Sequence, residues 1–216
     1  MFIVYIMNWD FVFSQYLYRM EGTSWLLKDS FLIEIIIHHG GKYLSISIYL
    51  LLVLLYVLCQ LKKIQLPIRI KNRLSQLFVY QRGLAYLALS TLLAALMVSL
   101  LKAITQIDCP WSIAGLGGEE VYQPWLNIIF IRHHGGHCFP AGHASAAYAF
   151  FSLYFFSYHF FPKQSVRILL IVLCWGIIFG FAQQLRGAHF ISHDISSAFI
   201  CWLINLFCYR LMLMKY

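Results

Sequence analysis

The stretch Cys138-Phe139-Pro140-Ala141-Gly142-His143 ends a polar, histidine-rich loop and is followed at once by a long apolar run. A second stretch of this kind, Arg186-Gly187-Ala188-His189-Phe190-Ile191-Ser192-His193-Asp194, lies between two further apolar runs. Each stretch places a histidine where polar sequence meets apolar sequence. Ionisable groups are costly at such a boundary, so these histidines are the first candidates for function.

The composition is that of an integral membrane protein. Of the 216 residues, 61% are hydrophobic and only 11% are charged, and the mean hydropathy is +0.73. Soluble domains carry about 25% charged and about 45–50% apolar residues, so this apolar excess has no place in one soluble core. The formal charge of +8 does not indicate nucleic-acid binding, because no basic patch accompanies the features of a known nucleic-acid fold.

Several apolar runs approach the length of about 20 residues that a membrane-spanning helix needs. They cover residues 43–61, 83–101, 144–161, 168–184 and 193–209, the last beginning at His193 or Ile195. The run from Met1 to Met7 is too short, so it is either a truncated span or an anchor in the interface. No cleavable signal peptide is indicated, because a basic start and a small-residue cleavage site are missing.

Residues 1–43 are predicted to form an N-terminal anchor and interfacial helix, ahead of a membrane-embedded bundle over residues 44–216. The segment from Trp25 to Ile37 has the pattern of a short amphipathic helix. Thr23 or Ser24 would cap it, and Gly40-Gly41 would stop it. Trp25 and the isoleucine run suit a position at the level of the lipid headgroups.

Basic and acidic residues alternate between the segments that join the predicted spans. Segments 62–82, 162–167 and 210–216 hold ten of the sixteen Lys and Arg and none of the eight acids. By the positive-inside rule these segments are cytoplasmic, so both histidine stretches lie on the opposite side. The sequence therefore predicts an all-α polytopic membrane helix bundle of five to six transmembrane helices, with an extracytoplasmic loop that carries the candidate site.

The polar residues on this outer side resemble the signature of the type 2 phosphatidic acid phosphatases, a family of membrane-embedded, metal-independent enzymes. That signature consists of Lys-x6-Arg-Pro, Pro-Ser-Gly-His and Ser-Arg-x5-His-x3-Asp. Between residues 83 and 210 the three parts occur in order as Lys102-x6-Cys109-Pro110, Pro140-Ala141-Gly142-His143, and His189 with His193 at the place of Asp and Asp194 one residue later.

Three positions depart from the family pattern. Cys109 replaces the first arginine of the signature, Ala141 replaces a serine, and Gln183 replaces the second arginine. A phosphate with two or more charged oxygens needs several cationic donors. We therefore expect Arg186 and Arg132 to restore the missing charge beside Lys102, with Gln183 as a neutral contact. Backbone N–H groups of Ala141 and Gly142, at the start of the next span, are expected to bind the anion and to make the lost serine tolerable.

The resemblance implies a phosphatase with a covalent mechanism. His189 attacks phosphorus and becomes phosphohistidine, while His143 protonates the leaving oxygen and then activates water. Imidazole suits both tasks because its unperturbed pKa lies at about 6.5. The family orients its nucleophile with an aspartate. Here His193 takes that role if the segment is helical, and Asp194 takes it if the turn is irregular.

The implied substrate is a lipid phosphate whose tails stay in the membrane: an isoprenoid pyrophosphate, phosphatidic acid, phosphatidylglycerol phosphate or a lipid A phosphate. Neither a cofactor, a metal nor a nucleic-acid partner is expected. The implied location is a bacterial inner membrane, with the site facing the periplasm. Phosphoryl transfer to another lipid phosphate, and lipid binding or transport without chemistry, stay open as alternatives. A zinc or iron site among the histidines is a further one, disfavoured because no His-Glu-x-x-His helix is present.

The cysteine positions predict one disulfide. Four of the six cysteines fall within predicted spans and behave as small hydrophobic residues: Cys59, Cys174, Cys201 and Cys208. Cys109 and Cys138 lie in the outer loop, where an oxidising periplasm permits a bond. Such a bond would tie the Lys102 end of one helix to the Pro140 turn that opens the next.

Overall fold

The structure, a computed structural model, describes residues 8–60, 78–122 and 136–214. Every regular element in these ranges is a helix, apart from isolated bridges at Ile113 and Ala114. In chain order the elements are α1 (Trp9–Met20), a π-helical segment (Phe31–Gly40), α2 (Gly41–Gln60), α3 (Gln81–Thr105), a 3₁₀ turn (Pro110–Ser112), α4 (Gly142–Tyr148), α5 (Phe151–Phe160), α6 (Pro162–Leu185) and α7 (Ile191–Met212). The all-α prediction is confirmed.

Four helical stretches among the described residues are long and apolar enough to cross a membrane: Phe31–Gln60, Gln81–Ser112, Pro162–Leu185 and Ile191–Met212. Their outer faces carry large apolar side chains such as Leu96, Ile171 and Phe207, each more than half exposed in the isolated chain. Water would not stabilise so much exposed apolar surface, whereas lipid tails would. The chain is therefore a membrane protein, as its composition predicted.

The first of these stretches differs from the predicted N-terminal helix. The chain turns between Trp25 and Asp29, and Ser30 is the N-cap, its Oγ accepting from the N–H of Ile33 at 3.4 Å. The helix then continues through both glycines to Gln60. The predicted helix over 25–37 with a stop at Gly40-Gly41 is wrong, because Gly41 keeps helical angles of φ −61° and ψ −41°.

The predicted span over residues 144–161 is divided into α4 and α5. At the break, the N–H of Phe150 donates to Ala147 and that of Leu153 donates to Phe150, each three residues back. The carbonyl of Ala149 thereby loses its usual donor four residues ahead, and the side chain of Asn205 on α7 donates to it at 3.2 Å. A contact from a distant helix accompanies this break, so an apolar run alone could not predict it.

The last two helices begin earlier than predicted. α6 starts at Pro162 and not at Ile168, because proline is well suited to the first helical position. α7 starts at Ile191, which places His193 and Asp194 in its first turn. The segment 162–167 is therefore helical and not a turn, and only a short loop with His189 separates α6 from α7.

Four helix termini meet at one end of the bundle: the C-terminal ends of α3 and α6 and the N-terminal ends of α4 and α7. α3 packs against α7, while α6 packs against α4 and α5. Tyr86, Phe150, Val172 and Cys201 lie in their shared apolar core. α3 and α6 end where α4 and α7 begin, so the loop after α6 and the turn before α4 share that end.

Gly41→Ala is expected to destabilise the bundle by about 1–3 kcal/mol, since overpacking forces neighbouring groups to move. A Cβ at position 41 would overlap the ring of Phe179 on α6. Gly40→Ala is the matched control, because the nearest atom to its added Cβ is a backbone oxygen at 3.5 Å, an ordinary contact. Thermal unfolding in detergent measures both variants, and equal melting temperatures would contradict the close approach of α2 and α6.

Candidate active site

The two histidine stretches identified in the sequence meet at one end of the bundle. The N–H of Ala141 donates to the carbonyl of His193 at 3.3 Å. The hydroxyl of Ser197 donates to the carbonyl of Ala141 at 2.9 Å, across 56 residues of sequence. The turn that opens α4 is thus fastened to the first turns of α7.

His189 lies in the loop between α6 and α7 and is only 5% exposed. Its imidazole hydrogen-bonds the backbone of Cys138, and its Nδ1 has no hydrogen-bond partner, so the bond is made through Nε2. Burial lowers the pKa of His189 well below its usual value, and the charges of His193 and Lys102 lower it further. A neutral ring with an unpartnered nitrogen is the form that a nucleophile needs.

The two residues predicted to orient His189 make other contacts. The ring of His193 lies 5.9 Å from that of His189 and hydrogen-bonds the same Cys138 backbone. Asp194 accepts from the side chain of Gln184 on α6, and its other oxygen has no partner. Neither His193 nor Asp194 holds His189 by a hydrogen bond. The contact that orients His189 is the Cys138 backbone, which the sequence did not indicate.

His143 is the second residue of α4 and contacts both α6 and the first membrane stretch. Its ring stacks on Phe179 with the centroids 4.6 Å apart, and it meets the edge of the His38 ring, also at 4.6 Å. The ring hydrogen-bonds the backbone of Ile37, while Nε2 has no partner. One nitrogen of His143 is therefore available for proton transfer.

His38 was not among the candidates chosen from the sequence. It lies more than one hundred residues before His143 in a segment that matches none of the three motifs. Its only signal is the pair His38-His39 inside an otherwise apolar run. The structure places it against His143, so it belongs to the surroundings of the candidate site.

Lys102 lies in the last turn of α3, and its ammonium group lies against the start of α4. Nζ is 3.5 Å from the point where a Cβ on Gly142 would be. Its charge acts on the imidazoles of both His189 and His193. Lys102 therefore faces the candidate site from α3, and its predicted role as a phosphate ligand stays a prediction.

Arg186 caps α6 and is tied to the N-terminal part of the chain. Its Nε donates to the carbonyl of Lys28 at 2.7 Å, and one terminal nitrogen donates to the side chain of Gln183 at 3.4 Å. The other terminal nitrogen pairs with Glu34 at 3.4 Å. A phosphate would have to compete with Glu34 for this guanidinium. The Nε2 of Gln183 is buried without a partner and keeps an amide donor available.

Three further contacts to the anion were predicted, from the backbone N–H groups of Ala141 and Gly142 and from the side chain of Arg132. The N–H of Ala141 is taken by the carbonyl of His193, so it is not available to a phosphate in this structure. The expectation for the N–H of Gly142 stays a prediction. Arg132 lies outside the described residues.

The predicted disulfide between Cys109 and Cys138 is present, with Cα atoms 5.2 Å apart. The N–H of Cys138 also donates to the carbonyl of Ile107 at 2.9 Å. Disulfide and hydrogen bond together hold Cys138, whose backbone in turn binds His189 and His193. The disulfide therefore supports the site and not only the loop between α3 and α4.

Reduction of this disulfide is expected to lower the free energy of unfolding by about 3.6 kcal/mol, as the chain-entropy relation gives for a loop of this size. The two cysteines are 29 residues apart in sequence. Thermal unfolding with and without reductant measures the effect. The double variant Cys109→Ser/Cys138→Ser is the control, since its melting temperature should not respond to reductant. If the melting temperature of the wild type also did not change with reductant, the disulfide bond would be contradicted.

Comparison with known families gives a match over the part of the chain that carries the candidate site. A family model described as the PAP2 superfamily matches residues 83–216, more than half of the chain. The matched part begins in α3 and extends over α4, α5, α6 and α7, so it includes both histidine stretches. Comparisons with curated proteins and with solved structures gave no match.

Proposed function

We infer that this chain, which belongs to the PAP2 superfamily of phosphatases acting on phosphate esters, removes phosphate from a membrane lipid. The observation that carries the proposal is the state of His189. Its ring is buried and has one unpartnered nitrogen, and the charges of Lys102 and His143 act on it. A neutral nucleophile beside a cation and a second imidazole suits attack on an anionic phosphate.

In the proposed reaction, the free nitrogen of His189 forms a bond to phosphorus while the bond from phosphorus to the lipid oxygen breaks. His143 gives its proton to that oxygen, so the lipid leaves without carrying a full negative charge. The neutral His143 then takes a proton from water, whose oxygen attacks phosphorus and displaces His189. Inorganic phosphate is released, and both histidines return to their starting states. Lys102 stabilises the phosphoryl oxygens throughout.

A lipid substrate is favoured by the surface around Lys102. Leu100 and Ile104, on the same turns of α3, are 54% and 60% exposed in the isolated chain. These side chains lie on the opposite face of the helix from Lys102 but at the same level, so a phosphate bound by Lys102 would leave the lipid tails within the apolar layer. The candidate substrates are isoprenoid pyrophosphates, phosphatidic acid, phosphatidylglycerol phosphate and lipid A phosphates. The proposed location is a bacterial inner membrane with the site on the periplasmic side.

Phosphate release by the purified protein in detergent, from each of these four lipid phosphates, tests the proposal. Inorganic phosphate should be released from at least one of them. The release should continue in EDTA, since no step uses a metal. Loss of activity in EDTA that added zinc restores would favour a metal site. Loss of the substrate phosphate without inorganic phosphate would favour transfer to a second lipid. Binding of these lipids without turnover would favour a non-catalytic role.

As the pH is lowered, kcat/KM is expected to fall with a midpoint below pH 6.5, the ordinary pKa of a histidine side chain. Burial favours the neutral ring of His189, so its pKa in the folded protein is lowered. The nucleophile is therefore lost only as the pH falls through that lowered pKa. A pH profile corrected for ionisation of the substrate measures the limb. A midpoint above 6.5 would contradict the assignment of His189 as the nucleophile.

A further inference from the structure

Asp10, on α1, reaches the start of α7 although 182 residues separate it from its partner Ser192. One carboxylate oxygen accepts from the N–H of Ser192 at 2.9 Å, and the other accepts from the hydroxyl of the same residue. Asp10 is 4% exposed and Ser192 is completely buried. Water therefore does not compete for this contact.

The contact with Asp10 caps the N-terminus of α7, where the neighbouring sequence provides no polar N-cap side chain. The first N–H groups of a helix have no partner within it and are usually satisfied by a polar N-cap side chain. The N-cap of α7 is Phe190, whose side chain makes no such bond. Asp10 provides the acceptor from another part of the chain, and a negative charge is favourable at a helix N-terminus.

The loop that carries His189 is thus fastened at both ends. On the α6 side, the N–H groups of Gly187 and Ala188 donate to the carbonyls of Gln184 and Gln183 at 3.0 and 2.9 Å. On the α7 side, Asp10 holds Ser192, three residues after His189. The backbone bond to Cys138 holds the ring of His189, and the contact of Asp10 with Ser192 holds the loop that carries it.

Other contacts keep α1 in place when Asp10 is changed. Phe11 lies 5.3 Å from the ring of Tyr122, which lies 5.3 Å from Phe190. The indole N–H of Trp25 donates to the carbonyl of Leu116 at 2.8 Å. The N-terminal segment is therefore held to the outer loops by apolar packing and by a hydrogen bond that do not involve the carboxylate.

We propose that Asp10 is a positioning residue for catalysis, which holds the first turn of α7 so that His189 keeps its orientation toward the phosphate. The inference rests on the proposed phosphatase function. Asp10 lies outside residues 83–216, the part that matches the family model. The helix α1 would then complete a site whose reacting groups all lie elsewhere.

Asp10→Ala is expected to lower kcat by about 10²-fold with KM changed by less than about twofold, since small misplacements of reacting groups cost this much. Asp10→Asn should recover most of kcat, because a carboxamide keeps an acceptor for the N–H and a partner for the hydroxyl. Burial disfavours the charged form of Asp10 and raises its pKa, so a neutral carboxamide avoids this desolvation cost. Ser14→Ala is the matched control: Ser14 is also buried, one helical turn further along α1.

Amide hydrogen exchange over residues 186–195 gives a readout that needs no turnover. Exchange should rise in Asp10→Ala and stay at the wild-type level in Asp10→Asn and Ser14→Ala. If Asp10→Ala does not fold, Asp10→Glu replaces it, because the longer side chain keeps the charge and displaces the contact.

Two outcomes would overturn the inference while the wild type stays active: an unchanged kcat in Asp10→Ala, or a loss in Asp10→Asn as large as that in Asp10→Ala. A smaller folded fraction with unchanged kcat per folded molecule would also overturn it, because a purely structural contact behaves that way. If the wild type releases no phosphate, the proposed function fails and the catalytic role of Asp10 fails with it. The exchange data then report only whether Asp10 orders the loop.

Discussion

His189→Ala is expected to lower phosphate release by roughly 10⁴-fold, because the variant lacks the group that forms the bond to phosphorus. Alanine leaves a small gap in the loop, while the contacts of Ser192 and Gln183 on either side do not depend on the imidazole. The measurement is kcat for phosphate release per folded molecule, with folding checked by thermal unfolding in detergent. His137→Ala is the control, because this nearby imidazole is exposed and no role is proposed for it.

Trapping of the covalent intermediate separates loss of the nucleophile from general damage. Wild type mixed with radiolabelled lipid phosphate and quenched in alkali should retain label on the chain, since the phosphorus–nitrogen bond of phosphohistidine survives base. His189→Ala should retain none. Labelling of the variant at the wild-type level, or turnover similar to that of wild type, would show that another residue attacks phosphorus.

The residues of the site that could be predicted are those with a local signal in the sequence. His143 directly follows Gly142, and His189 comes two residues after Gly187. Both lie where a polar loop meets an apolar run, and alternation of the spans places both at one end of the bundle. Cys109 and Cys138 were recognisable because they lie between spans. These inferences need only the order of the apolar runs along the chain, which can be read directly from the sequence.

The contacts that orient the site could not be predicted in this way. His189 is held by the backbone of Cys138, and a backbone group leaves no signature in the sequence. Asp10 and Glu34 reach α7 and Arg186 from the N-terminal segment, and neither pairing follows a helical or strand period. Such pairs are determined by the tertiary packing, which a single sequence does not reveal.

Helix boundaries show the same limit. The end of α4 coincides with the hydrogen bond from Asn205 to Ala149, and the uninterrupted path through Gly41 coincides with its packing against Phe179. In both cases a distant helix overrides the local preference of the residue. Apolar periodicity therefore predicts which segments lie in the membrane better than where each helix begins and ends.

His143→Ala is expected to lower phosphate release from a lipid phosphate by about 10³-fold, the usual range for loss of a general acid and base. The variant leaves His189 and its bond to Cys138 in place, so the nucleophile is still present. His39→Ala is the control, because its imidazole is exposed and its ring contact is with His38. Equal rates for His143→Ala and wild type would rule out the proposed proton transfer.

The leaving group decides between a general acid and a residue that only binds phosphate. With p-nitrophenyl phosphate the departing phenolate needs no proton, so the first step should be nearly normal in His143→Ala. The second step still needs a base to activate water, so it should stay slow. The variant should therefore release a rapid burst of about one p-nitrophenolate per site, followed by slow turnover. If His143 only bound the phosphate, both steps would slow together and no burst would appear, because its loss would affect every substrate alike.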